Sequence, residues 1–148
     1  MDFRKYISII GALLLSLGSS MAVGQSLSGL TFIGNNLGSS SLTELQVKDA
    51  FKAKNNFWPN GNTLTVCLPE TKSTDAVEVS RKIYGKTVSE VQKFWLSQVF
   101  QGRSRTPIFF ESDEEIISYV AKTPGAIAAF INEKGLSVPK ELTLQILP

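Results

Sequence analysis

Histidine is absent from the 148 residues, and cysteine occurs once, at Cys67. The first absence rules out Ser–His–Asp and Cys–His nucleophiles and zinc sites built on His and Cys. The second rules out a disulfide within the chain. Cys67 stands in the apolar run Leu64, Thr65, Val66, Cys67, Leu68 and reads as a buried small hydrophobe on a strand rather than a reactive thiol. Neither sign of charge is in excess: 15 Lys and Arg face 13 Asp and Glu. A nearly neutral chain has no electrostatic footprint for nucleic acid and no attraction to an anionic membrane surface. Repeats, low-complexity tracts and long charge runs are also missing. Glu111, Asp113, Glu114 and Glu115 do cluster, but at a helix start, where capping and the helix dipole account for them. No base or metal partner accompanies them, so the chain is expected not to be an enzyme and to need no cofactor.

The start of the chain has a definite layout. Arg4 and Lys5 precede an apolar stretch over residues 7–17, and Ala22, Val23 and Gly24 close it with small side chains. That is the pattern of a secretory signal peptide, and the apolar part falls short of the ~20 residues that span a bilayer. The expected division is a signal peptide over 1–24, cleaved just before Gln25, and one domain over 25–148 with no stable membrane insertion. About 124 residues suffice for a single core.

Within that domain, apolar runs predict strands at 30–33, 64–68, 106–110 and 126–131, with a last one over 142–147. Glycine-rich residues 34–38 follow the first strand but lack the lysine of a nucleotide phosphate loop, and read as a surface loop. Ser41 with Glu44, Asp75 with Glu78 and Ser112 with Glu115 have capping-box spacing, and Thr87 or Ser89 can open a further helix. That helix carries Val91, Phe94, Trp95, Val99 and Phe100, and Gln101-Gly102 stops it. Phe57-Trp58-Pro59-Asn60-Gly61 is a tight reversal in which Trp58 packs over the core. Two successive helices between strands imply crossovers and hence a largely parallel or mixed sheet.

The tryptophan helix, then Phe100-Gln101-Gly102, a basic pair at Arg103 and Arg105, Pro107, and an amphipathic helix ending Val120-Ala121-Lys122-Thr123-Pro124-Gly125-Ala126-Ile127 resemble the second lobe of periplasmic phosphate-binding proteins. Residues 42–51 and the Trp58 turn resemble the same type II solute-binding family, so the likeness runs over about 42–131. It implies an α/β fold: a single lobe of a type II periplasmic binding protein, with a mixed, mostly parallel sheet flanked by helices, in a periplasmic protein.

Such proteins use two lobes, for which this length leaves no room. In the family an arginine-containing loop runs into serine-glycine-threonine at a helix start, where amides, hydroxyls and the dipole hold the anion. The matching loop here, 69–75, has neither that arginine nor that glycine. It keeps Lys72, Ser73 and Thr74, with Asp75 as a cap competing for the same amides. Lys72, Ser73, Thr74 and Asp75 are therefore the candidate oxyanion-binding residues. The expected function is an exported, non-enzymatic binding module that takes phosphate or another small oxyanion weakly. The alternative is a protein-interaction or assembly module, working with a protein partner or as a homodimer, that has lost ligand binding.

Overall fold

The computed structural model describes residues 26–148, so the signal-like segment lies outside the described residues. A four-stranded sheet, in the order β1-β5-β3-β4, forms the centre. β3 (Thr65–Pro69), β4 (Ile108–Phe110) and β5 (Ala126–Phe130) run parallel, while β1 (Thr31–Gly34) lies antiparallel to β5. The apolar runs gave these strands because both faces of the sheet are covered. Ile127 and Ala129 of β5 and Val66 and Leu68 of β3 face one cluster with Phe51, Val79, Ile83 and Trp95. The alternate residues Cys67, Ala126, Ala128 and Phe130 face a second cluster with Ile116 and Val120. That alternation is the period-two geometry of a strand.

α1 (Glu44–Phe51), α2 (Thr74–Val79) and α3 (Val88–Phe100) belong to the first face and α4 (Asp113–Lys122) to the second. α2 continues without a break into a π-helical turn, Ser80–Tyr84, ended by Gly85 at φ 63°. At the end of that turn the Tyr84 hydroxyl donates to the Phe51 carbonyl (2.6 Å) and accepts from Trp95 Nε1 (3.3 Å), tying α1, α2 and α3 together beneath the surface. Burial pushes the Tyr84 phenol well above its ordinary range.

Three helix starts differ from the sequence reading. α1 is capped by Thr43 and Gln46, not Ser41 and Glu44, because Ser41–Thr43 is a short strand, β2, paired parallel with β6 (Gln145–Leu147). α2 is capped by Ser73 rather than Asp75, and Glu78 pairs instead with Arg81 at 2.7 Å. At α4 Ser112 accepts from the Glu115 amide as expected, but the Glu115 carboxylate reaches one residue further back, to the Glu111 amide. α3 begins with Thr87 and Glu90 as a complete capping box. Its expected single apolar face is split: Val91 and Trp95 are buried, whereas Phe100 is 82% exposed.

β6 finds its partner within the chain, and the same segment closes the β1 edge. The Leu144 amide donates to the Phe32 carbonyl (3.1 Å) and Thr143 bridges Ile33. The Trp58 turn is fastened to the start of β5 by Trp58 Nε1–H donating to the Gly125 carbonyl (2.8 Å). Gly125 itself, at φ 87°, has the Thr63 carbonyl where a side chain would stand, so only glycine fits.

Candidate functional site

In a parallel sheet the strands all end on one side, and helix starts gather there. Here β3 ends at Pro69, β4 at Phe110, and the chain leaves β5 through Ile131. Those residues line a hollow of about 190 Å³ together with Ser73, Asp75, Glu111, Ser112, Asp113, Glu133 and Lys134. The caps of α2 and α4, Ser73 and Ser112, thus stand on its two sides.

Each of the four candidates read from the sequence has a definite place. Ser73 and Asp75 line the hollow; Lys72 and Thr74 are exposed beside it and do not. The Ser73 hydroxyl is occupied, donating to the Glu70 carbonyl (2.7 Å) and accepting the Ala76 amide (3.1 Å). That cap leaves the first-turn amides of Thr74 and Asp75 without a partner among the described residues. Asp75 does not cap its helix; its carboxylate accepts the Ile131 amide (2.8 Å) and pins the end of β5.

Sequence reasoning missed the second half of the site. Asp113 meets Asp75 across the hollow, although the two lie on different helices. Partial burial, then the neighbouring charges of Asp75 and Glu114, push its carboxyl up to about 6. Lys134 Nζ lies 3.4 Å from Glu114 and brings the one cation of the lining, against the carboxylates of Asp75, Glu111, Asp113 and Glu133. The signal that could have found Asp113 is its position just after a parallel strand, as Ser73 follows β3. Arg103 and Arg105, the basic pair before β4, are exposed and do not line the hollow.

A larger hollow, about 290 Å³, lies between the Trp58 turn and α1, lined by Leu37, Leu42, Phe57 and Trp58 among others. Trp58 packs there against the core, with its indole N–H committed to Gly125. Among the described residues no three His, Cys, Asp or Glu side chains converge to hold a metal ion. The only cysteine, Cys67, is fully buried and its thiol is pushed up to about 12 by that burial, which removes it as a nucleophile.

The fold is similar to that of solved structures. An ABC-type phosphate transport receptor from Vibrio cholerae superposes with a TM-score of 0.51 at 16% identity, over 80% of this chain and 46% of that one. PstS from Borrelia burgdorferi gives 0.56 at 18%, over 80% and 47%. A Clostridium perfringens structure with bound phosphate, assigned as a phosphate ABC transporter substrate-binding protein, gives 0.55 at 19%, over 80% and 44%. The fold is one lobe of a type II periplasmic binding protein. The chain spans slightly less than half the length of these structures. No family model and no curated protein matches the sequence.

On this type II lobe, the hollow holding Ser73, Asp75 and Asp113 lies where ligands of open α/β sheets bind, outside the carboxyl ends of the strands. The lobe's fold neighbours are transport and substrate-binding proteins rather than enzymes. No helix among the described residues is long and apolar enough to cross a membrane.

Proposed function

We propose that this chain is an exported, non-enzymatic binding module that loses residues 1–24 on export and takes a small oxyanion, phosphate foremost, in the hollow between Ser73 and Ser112. The observation that carries this reading is the meeting of two serine-capped helix starts at the ends of three parallel strands, in a fold shared with phosphate-transport receptors. First-turn amides and the dipole of α4 favour an anion; the carboxylates oppose one. The ligand that reconciles them carries a proton of its own to donate to the Asp75 carboxylate, as phosphate does and sulfate does not near neutral pH.

Affinity is then weak, because the described residues form one wall of a cleft and leave much of the ligand wet. Binding tightens as pH falls through about 6, where Asp113 takes up its proton, loses its repulsion and becomes a donor. Calorimetric titration with phosphate at low salt, at pH 5.5 and pH 8, tests this. Saturable heat that is larger at pH 5.5 and reduced by Lys134→Ala is the expected outcome. A folded protein giving no heat at either pH removes the oxyanion reading.

A second reading, assembly with another protein, is favoured by a different observation. Leu96, Val99 and Phe100 follow one another along α3, and they and Phe109 of the neighbouring β4 are exposed by 58, 39, 82 and 40%. Exposed apolar side chains gathered in one place mark interaction surfaces.

A further inference from the structure

β4 ends the sheet. It has β3 on one side and, among the described residues, no strand on the other. Phe109 turns towards the α3 face of the sheet and lines a shallow hollow with Gln92 of α3. Leu96 and Val99 stand one and two turns beyond Gln92 on the same side of that helix, and Phe100 follows. The open strand is therefore bordered along α3 by an exposed apolar stripe.

Its two ends carry opposite charge. Arg103 and Arg105 lie just before β4, exposed and in no ion pair among the described residues. Glu111, Asp113, Glu114 and Glu115 lie just after it. A strand that is basic before and acidic after is complementary to itself only when reversed. Parallel pairing of two copies would set like charge against like. Antiparallel pairing sets the basic end of each against the acidic end of the other, and a two-fold arrangement of that kind closes at two copies.

We propose that the β4 edge docks a second copy of this chain, by antiparallel pairing of Ile108–Phe110 that joins the two sheets and seats each copy's Arg103 and Arg105 against residues 111–115 of the other. The inference rests on the assembly reading above and names its partner and its surface. Pro107 has no amide to offer, so the backbone contribution stops at a three-residue strand. The stripe of Phe109, Leu96, Val99 and Phe100 supplies the apolar burial, and the charged flanks set orientation and salt dependence. Because the acidic flank includes Asp113, the second copy also brings arginines towards the hollow whose own lining holds one lysine.

Sedimentation velocity on the full chain, from about 1 μM to about 500 μM at low salt, tests the pairing. Dimer should accumulate with concentration and retreat when salt is raised to about 1 M. Arg105→Glu alone and Glu111→Arg alone should each weaken it by about tenfold, and an equimolar mixture of the two variants should restore it as a heterodimer. Both positions are exposed, and circular dichroism verifies that each variant is folded. A dimer indifferent to both charge variants would overturn the β4 edge while leaving assembly standing. A wild-type monomer at every concentration would overturn the pairing and self-assembly together.

Discussion

Beyond β1, Thr143 and Leu144 lie along the strand, with the Leu144 amide bonded to Phe32 and with Leu142 and Leu144 buried at 4% and 8% exposure. Beyond β4 there is no such cover, and protection there is of another kind: three residues of strand, a proline before it and charges at both ends. Sheet edges are commonly handled in one of these two ways, by covering them or by making them short and charged. The difference teaches where stability and where recognition reside. The covered edge is part of the core, so changes to it should be felt in folding; the open edge is surface, so changes to it should be felt in association.

The sharpest way to break the contrast is to truncate the cover. Leu144→Ala should cost about 2–4 kcal/mol, read from the shift in urea midpoint at constant slope. If the loss were no larger than for a surface residue, the β1 edge would not be sealed by this segment. Next in size is Ser112→Ala, which removes the cap of α4 at the acidic end of the open edge and should cost about 1 kcal/mol.

Asp113→Asn should act in the opposite direction, and with a definite pH dependence. Its carboxyl rises from 3.8 to about 6 on folding, so the folded state holds the proton more tightly than the unfolded chain. Stability therefore falls as pH climbs from about 4 to about 6 and stays lowered above that. The amide removes this penalty, stabilising the protein by about 1 kcal/mol at pH 7.5, after allowance for partial exposure, and changing little below pH 4. The smallest expected effect is Phe100→Ser: within about 0.5 kcal/mol in dilute unfolding, but with a measurable drop in self-association by sedimentation. A large stability loss there would mean that the apolar stripe belongs to the core after all.

Much of this was legible because it is local or periodic. Of the sheet's strands, β1, β3 and β5 are apolar runs with buried residues on both faces, and Thr87 is one of two residues that could open α3. What the sequence hides is decided by partners far away. Ser41 has the spacing of a cap, yet it belongs to a strand because Gln145 lies opposite it. Asp75 has the spacing of a cap, yet the Ile131 amide, 56 residues on, claims its carboxylate and leaves Ser73 to start the helix. Of the candidate site, Ser73 and Asp75 could be found from the chain, whereas the meeting of Asp75 with Asp113 depends on the register of β3 with β4. Phe100 shows the same limit from the other side. Helical spacing places it with Trp95, but only packing against the sheet decides that Trp95 is covered and Phe100 is not.

The lone cysteine, on the central strand β3, turns the molecule into its own stopwatch. With its sulfur shut away in the native sheet, Cys67 can react with an alkylating or disulfide reagent only when the strands part. The labelling rate, followed in native buffer without denaturant, therefore counts openings of the middle of the sheet. Repeating it across protein concentration would show whether joining copies at a distant edge slows the heart of the fold.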